Sequence, residues 1–187
     1  MKTALVADDE PLMRRQVMET LDTYGFERII EASDGAQAVN LVALEKPLLV
    51  VMDVQMPVMD GVTAAEKIGK DSPVPIVLLT ATHDTETVGR ARDAGVMSYL
   101  LKPFRNEDLP PAVDLSIHHF ISMNELRKEV DELKQTLETR KLIEKAKGVF
   151  IAQGLSEPEA YRKMQKLAMD KRKSLKEVAE AILLMAD

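Results

Sequence analysis

Five side chains that could bind a metal ion or a phosphate group stand at the ends of apolar runs in the sequence. Asp8 and Asp9 directly follow the first run, Asp53 follows a second, Thr80 a third and Lys102 a fourth. Such runs predict buried strands, and in open α/β sheets ligands bind at the carboxyl ends of the strands. Three carboxylates, a hydroxyl and an amine at that edge predict a site for a divalent cation and a phosphate group.

The chemistry of this site follows from its charges. Carboxylates that converge repel one another unless a cation lies among them, and oxygen ligands at a small open site favour Mg²⁺. Asp8 and Asp9 are adjacent, so we expect one to contact the metal directly and the other through water. Asp53 stands alone on its strand and is the natural nucleophile toward a phosphoryl group. Lys102 would pair with the phosphoryl oxygens, and Thr80 would offer its hydroxyl to one of them.

Composition limits the class of protein. The chain has 187 residues, enough for one ordinary domain and a small one, and it is 45% hydrophobic but only 4% aromatic. It has no cysteine, which excludes disulfides, thiolate metal sites and a cysteine nucleophile. No apolar run reaches the roughly 18 residues of a membrane span, and the first residues lack the apolar core of a signal peptide. We therefore expect a cytoplasmic protein with no membrane segment.

Charge is unevenly distributed along the chain. Residues 1–120 contain 11 Lys and Arg against 19 Asp and Glu, whereas residues 140–187 contain 11 against 7. A basic end behind an acidic first part fits a segment that contacts nucleic acid, although ordinary surface variation explains it equally well. An acidic first part that folded against the basic end would mask it.

Residues 1–120 alternate between strand patterns and helix patterns. Five apolar runs, starting near residues 3, 27, 47, 75 and 97, are separated by stretches with helical periodicity, and glycines mark the changes. Alternating units with nearly all-apolar strands predict a parallel sheet that helices cover on both faces. A fifth helix begins near Glu107, where Pro110 and Pro111 are tolerated only in its first turns. The prediction is an α/β fold of the (βα)5 type.

No strand pattern appears after about residue 115. Instead, apolar residues at alternating spacings of three and four follow the a/d repeat of a coiled coil over two heptads, which is short for a free-standing coiled coil. We favour dimerisation through this stripe over packing of an amphipathic helix on its own domain. The stripe consists of Met123, Leu126, Val130, Leu133 and Leu137.

The end of the chain shows three short helical patterns. The second and third begin at capping boxes that start with Ser156 and Ser174. Helices this short are unstable alone and must share a core, to which we assign Tyr161 among other residues. The predicted domains are therefore an α/β domain at 1–120, a helical coiled-coil linker at 121–139 and a small three-helix all-α domain at 140–187.

The first domain resembles the receiver domain of two-component response regulators. The resemblance implies a flavodoxin-like fold and phosphoryl transfer from a sensor histidine kinase to Asp53. It also implies that Asp9, Asp53 and the backbone carbonyl of Gln55 bind Mg²⁺, with Asp8 acting through water. The motifs that carry the resemblance are Asp8-Asp9, Asp53 with Met56-Pro57 and Met59-Asp60-Gly61, Thr80-Ala81, and Lys102-Pro103.

Tyr99 lies three residues before Lys102 and matches the rotating aromatic switch of the receiver family. The resemblance implies that Thr80 and Tyr99 couple phosphorylation to the face formed by the fourth helix, the fifth strand and the fifth helix. On residue type alone, a tyrosine beside two leucines would be a core residue.

The tail resembles the ANTAR domain, a three-helix RNA-binding module found behind receivers in transcription antitermination regulators. The resemblance implies that a dimer binds a pair of short hairpins with small loops in a nascent leader transcript. Holding those hairpins would prevent an overlapping terminator from forming. The match covers about residues 125–187 and is carried by Ala146-Lys147-Gly148, Gly154-Leu155-Ser156, Glu159-Ala160-Tyr161, Ala168-Met169 and Val178-Ala179.

RNA hairpin loops are recognised by shape, by phosphate contacts and by stacking on unpaired bases. Gly148 lies inside a predicted helix, where it costs about 1 kcal/mol relative to Ala, and close approach of an RNA backbone or of another helix would explain it. The candidate RNA-binding residues are Arg140, Lys141, Lys145, Lys147, Gly148, Lys171, Arg172 and Lys173.

Other interpretations of the tail remain open. Turns at Gly154 and near Ser174 would permit a DNA-binding helix-turn-helix, and a module that only dimerises is a third possibility. Under each of them the protein is a regulator and not an enzyme. Among the histidines, we interpret His118 and His119 as partly exposed packing residues, and we give His83 no direct role at the phosphate.

Overall fold

The computed structural model describes residues 2–81, 89–92, 94–96 and 98–185. The chain divides into two compact units, residues 1–124 and residues 125–187. The described residues of the first unit form five strands, which are β1 (Thr3–Ala7), β2 (Arg28–Ala32), β3 (Leu49–Asp53), β4 (Ile76–Thr80) and β5 (Ser98–Leu101).

All four strand pairings are parallel, and the strand order is β2-β1-β3-β4-β5. The inner strands β1, β3 and β4 are buried along their whole length, whereas the edge strands β2 and β5 are partly exposed. Nearly continuous apolar sequence in the inner strands is what a parallel sheet covered on both faces requires. The predicted α/β fold with a flavodoxin-like parallel sheet is confirmed.

The helices of the first unit cover both faces of the sheet. Successive strand residues point to opposite faces, so Leu5 and Ala7 join the core beneath α2 and α3, while Ala4 and Val6 join the core beneath α1 and α5. The helices of the described residues are α1 (Pro11–Tyr24), α2 (Gly35–Glu45), α3 (Gly61–Asp71), α4 (helical residues 89–92), α5 (Leu109–Ala152), α6 (Glu157–Lys171) and α7 (Leu175–Leu184).

The helix α5 is a single element of 44 residues. It begins at Leu109, after a 3-10 turn at Asn106–Asp108, so Pro110 and Pro111 lie in its first turn as expected. The predicted domain boundaries at 120/121 and 139/140 both fall inside α5, because no glycine or proline interrupts the sequence there. Those boundaries remain predictions.

The second unit contains a core shared by α5, α6 and α7. Ala146 and Phe150 of α5 pack with Met164 of α6 and Ala179 of α7 in one buried cluster. Both predicted capping boxes are present. Ser174, for example, accepts a hydrogen bond from the backbone N–H of Glu177 at 3.3 Å, and Glu177 accepts one from the backbone N–H of Ser174 at 2.8 Å.

None of the helices in the described part of the chain combines the length and the apolar composition needed to cross a bilayer.

Candidate functional site

The sheet brings the chemistry-bearing residues to one edge. Asp53 is the last residue of β3, and Thr80 is the last residue of the neighbouring β4. Asp8 directly follows β1 and Lys102 directly follows β5, so four adjacent parallel strands end at the same place. Helices cover both faces of the sheet, and the apolar strands bring these polar residues together at their carboxyl ends.

Lys102 is the central cation of the site. Its Nζ lies 2.7 Å from Oδ1 of Asp53 and 2.8 Å from Oδ2 of Asp8. Burial lowers the pKa of Lys102, but the hydrogen bonds to Asp53 and Asp8 outweigh burial and raise that pKa above its ordinary value. Lys102 is therefore a charged ammonium shared by two carboxylates, and it is placed to pair with a third anionic group that arrives at Asp53.

The three carboxylates can also hold a metal ion. Asp8, Asp9 and Asp53 each offer an oxygen, and these oxygens lie within 4.8 Å of one another. Three carboxylates and one ammonium carry a formal charge of −2, which a single divalent cation neutralises. A set of oxygen donors with this charge fits Mg²⁺.

The two adjacent aspartates occupy different environments. Asp8 is fully buried; its Oδ1 accepts a hydrogen bond from the backbone N–H of Glu10 at 2.8 Å, and its Oδ2 is paired with Lys102. Asp9 is exposed. This difference supports the expectation that Asp9 binds the metal directly and that Asp8 acts through water.

The backbone after Asp53 is packed closely against it. The N–H of Gln55 donates to Oδ2 of Asp53 at 3.0 Å, and the N–H of Gly61 donates to the carbonyl oxygen of Val54 at 2.9 Å. A Cβ atom added at Gly61 would lie 2.0 Å from the carbonyl oxygen of Asp53, a distance that no real contact tolerates. The sequence pattern predicts only a turn at Gly61, and the close approach that requires a glycine there is visible only in the fold.

A second glycine fixes the same loop from the side of α2. The N–H of Gly35 donates to the carbonyl oxygen of Met59 at 3.2 Å, and an added Cβ at Gly35 would lie 2.5 Å from that oxygen. Val58, beside it, has a φ of 65°, which is an outlier for a β-branched residue. Strained backbone of this kind is concentrated at functional sites, and here it lies in the loop between the candidate phosphoacceptor strand and α3.

The two candidate switch residues differ in burial. Thr80 is buried, and its carbonyl oxygen accepts a hydrogen bond from the backbone N–H of Lys102 at 2.8 Å. Tyr99 on β5 is 50% exposed, which does not fit the core interpretation that its leucine neighbours suggest. His83 lies outside the described residues, as do the rest of residues 82–88 and residues 93 and 97.

Replacing Asp53 with Asn is expected to stabilise the fold at about pH 7 without Mg²⁺. Burial raises the pKa of Asp53, against the opposing effect of the hydrogen bond from Lys102. When the pKa of a carboxyl group is higher in the folded state than in the unfolded state, the group destabilises the fold above its folded-state pKa. It has no such effect below its unfolded-state pKa, which is about 3.9. The gain in unfolding free energy should therefore vanish in acid. Urea unfolding of both proteins in EDTA measures it, with the exposed Asp71→Asn as control, and a less stable Asp53→Asn protein at neutral pH would contradict the argument.

The candidate RNA-binding cations of the second unit fall into two groups. Lys147 is only 7% exposed and pairs with Glu144 at 2.8 Å and with Glu157 at 2.7 Å. Two more of the candidates, Lys141 and Lys173, also have a glutamate within 4.0 Å. The exposed candidates with no such partner among the described residues are Arg140, Lys145, Lys171 and Arg172.

Lys147 is thus a poor phosphate ligand, because its ammonium is buried between two carboxylates of α5 and α6 that raise its pKa. Gly148 is exposed, and a Cβ added there would meet no neighbouring atom within 4 Å. Packing against another helix of the described residues therefore does not explain Gly148. Tyr161 is 39% exposed, so its assignment to the core is wrong.

Two cations on α6 are further candidates that the sequence pattern did not single out. Arg162 and Lys166 are exposed, lie four residues apart on one helix face and have no carboxylate within 4.0 Å among the described residues. Lys163, between them, lies 4.3 Å from the centre of the Phe150 ring. The four-residue spacing of Arg162 and Lys166 could have predicted from sequence that both lie on one face of a helix. The run of consecutive basic residues at 171–173 was noticed instead because it needs no helical periodicity to find.

The coiled-coil stripe lies on α5. Leu126, Val130, Leu133 and Leu137 are between 40% and 62% exposed, while Met123 is partly buried. His118 and His119 are exposed on the same helix. An exposed row of large apolar side chains is a feature of surfaces that bind another protein.

Comparison with known proteins identifies both parts of the chain. A family model described as the response regulator receiver domain matches residues 4–114, and one described as the ANTAR domain matches residues 131–183. The transcriptional regulatory protein PdtaR of Mycobacterium tuberculosis is 46% identical over 183 residues, which cover 97% of this chain and 89% of that protein.

Solved structures agree for the first unit. The receiver domain of the response regulator NarL from Mycobacterium tuberculosis is 30% identical with a TM-score of 0.56, covering 61% of this chain and 94% of that one. The chemotaxis protein CheY4 of Vibrio cholerae is 28% identical with a TM-score of 0.57, covering 61% and 97%. The chain therefore belongs to the response regulators, and it joins a receiver domain to a C-terminal ANTAR domain.

Proposed function

We propose that this response regulator is phosphorylated on Asp53 by a sensor histidine kinase and that the phosphorylated form causes transcription antitermination by binding RNA hairpins. The observation that supports it most directly is the pairing of the buried Asp53 with Lys102 at 2.7 Å, in a chain that also carries an ANTAR domain. A receiver implies a kinase partner, and an ANTAR domain implies RNA as the target.

The transfer uses groups of this chain in distinct roles. An Oδ of Asp53 attacks the phosphorus, the P–N bond of the kinase phosphohistidine breaks, and its electron pair returns to the imidazole nitrogen. Lys102 pairs with the phosphoryl oxygens and offsets the charge that the carboxylate brings to the reaction. Thr80, buried at the end of β4, offers its hydroxyl to one of these oxygens after transfer.

Asp9, Asp53 and the backbone carbonyl of Gln55 would hold Mg²⁺, with Asp8 acting through water. When bound, the ion neutralises charge on the transferring phosphoryl group. Tyr99, half-exposed on β5, and Thr80 would then transmit the change to the face formed by α4, β5 and the start of α5.

The phosphorylated chain would act as a homodimer through the α5 stripe and would hold a pair of hairpins in a nascent leader transcript. In the second unit, the exposed cations without carboxylate partners are the best candidates for phosphate contacts, since paired cations are already neutralised. Binding to duplex DNA through a helix-turn-helix is the alternative, and the ANTAR match over residues 131–183 favours RNA.

Replacing Arg162 or Lys166 with Ala is expected to weaken RNA binding, because each change removes one cation that would neutralise an RNA phosphate. The slope of log affinity against log salt should also fall by about 1 for each cation removed. The probe is a leader RNA with two hairpins, identified by sequencing RNA that co-purifies with the phosphorylated chain. Gel shifts with this RNA and with duplex DNA, with and without acetyl phosphate, measure both quantities.

Lys128→Ala is the matched control, because Lys128 is exposed on α5 and lies outside the ANTAR match. It removes the same charge and should leave the slope unchanged. If the wild type, the Arg162→Ala and Lys166→Ala proteins and this control all show the same salt slope, then neither Arg162 nor Lys166 contacts an RNA phosphate. Preferential binding of duplex DNA would overturn the RNA function itself.

A further inference from the structure

The apolar stripe of α5 lies beside charged residues whose positions are fixed by the same repeat. With Met123, Val130 and Leu137 at position a and Leu126 and Leu133 at position d, Glu129 occupies position g and Lys134 occupies the e position of the next heptad. In a parallel two-stranded coiled coil, a residue at g faces the residue at the following e of the other helix. Glu129 would therefore face Lys134 of a second copy.

Glu129 and Lys134 cannot pair within one helix. Residues five apart on an α-helix point in different directions, whereas residues three or four apart are neighbours. Both are exposed, and neither makes an ion pair within the described residues. By contrast, Lys141, on the same helix, has a carboxylate partner three residues away at 3.2 Å.

We propose that α5 forms a parallel, in-register homodimer in which Glu129 of each copy pairs with Lys134 of the other. This inference rests on the proposed dimer and adds its orientation, its register and the residues that select a second copy of this chain as partner. Two symmetric attractive pairs flank the a and d residues and supply the charge complementarity that the apolar row alone lacks.

Charge reversal tests the pairing. Glu129→Lys alone places like charges opposite each other at both pairs, as does Lys134→Glu alone, and each is expected to weaken the dimer about tenfold. A chain with both changes should dimerise like wild type. Mixing the two single variants should give heterodimers, because each lysine then faces a glutamate. Sedimentation of full-length chains treated with acetyl phosphate and Mg²⁺, one of them fluorescently labelled, measures all four cases.

The absence of cysteine from the chain permits a second test of orientation. Met123→Cys and Leu137→Cys each place a thiol at an a position near one end of the stripe. In a parallel dimer each variant forms a disulfide with its own kind, since equivalent a residues lie within the Cα separation of about 4.4–6.8 Å that a disulfide needs. In an antiparallel dimer, residues 123 and 137 lie near opposite ends of the stripe, so neither variant would be linked to its own kind.

The outcomes separate this inference from the function it rests on. If the phosphorylated wild type dimerises and both single reversals dimerise equally well, or if neither cysteine variant cross-links with its own kind, the pairing is overturned and the dimer is left intact. A phosphorylated wild type that stays monomeric would overturn both. Mass spectrometry of each variant confirms equal phosphorylation, and the differences between variants should fade in about 1 M salt.

Discussion

The Asp53→Asn protein is expected to gain no phosphoryl group from acetyl phosphate and Mg²⁺, whereas the wild type gains one. No other carboxylate among the described residues of the site is equipped to replace Asp53. Both oxygens of Asp8 are engaged, and Asp9 is exposed and forms no ion pair with Lys102. Intact-mass spectrometry detects the added group as about 80 Da.

Asp71→Asn removes an exposed carboxylate at the end of α3 and serves as the control, which should be phosphorylated normally. A second variant, Asp53→Ala, tests regulation. It should abolish both the activated dimer and its RNA binding. An Asp53→Ala protein that dimerises and binds RNA as the phosphorylated wild type does would show that phosphate control is wrong.

Gly61→Ala is expected to destabilise the receiver by about 1–3 kcal/mol and to slow phosphorylation. The added methyl group would lie 2.0 Å from the carbonyl oxygen of Asp53, and the atoms it meets are all backbone, so relief requires movement of the chain that carries the phosphoacceptor. Urea unfolding and the rate of phosphorylation by acetyl phosphate measure the two effects.

Gly89→Ala makes the same chemical change in the same unit. Gly89 is helical, and no atom of the described residues lies within 4 Å of an added Cβ, so the substitution should be neutral or stabilising by up to about 1 kcal/mol. If Gly61→Ala behaves like Gly89→Ala in both measurements, then the close approach at Asp53 does not constrain the site.

Features that depend on local sequence were predictable. Apolar strands that end in Asp53, Thr80 and Lys102 predicted both the parallel sheet and the edge where these residues meet, because strand direction fixes where polar ends lie. The capping boxes at Ser156 and Ser174 were predictable for the same reason, since a cap is decided within four residues.

Features that depend on distant partners were not predictable. Lys147 has the residue type of an RNA ligand, and only the fold shows Glu157, ten residues away across a turn, pairing with its ammonium. In the sequence, Gly61 resembles an ordinary turn residue. The carbonyl group that excludes a side chain there belongs to Asp53 in the preceding strand, and the sequence does not show how close the two come.

The glutamates around Lys147 also affect selectivity among nucleic acids. Attraction to any polyanion grows with the number of unneutralised cations and carries no sequence information. In the second unit, glutamates neutralise Lys141, Lys147 and Lys173. The number of basic residues in this unit therefore overstates its nonspecific affinity for RNA. For the proposed function this restraint is useful, because discrimination among RNAs would then depend on hairpin shape instead of on total charge.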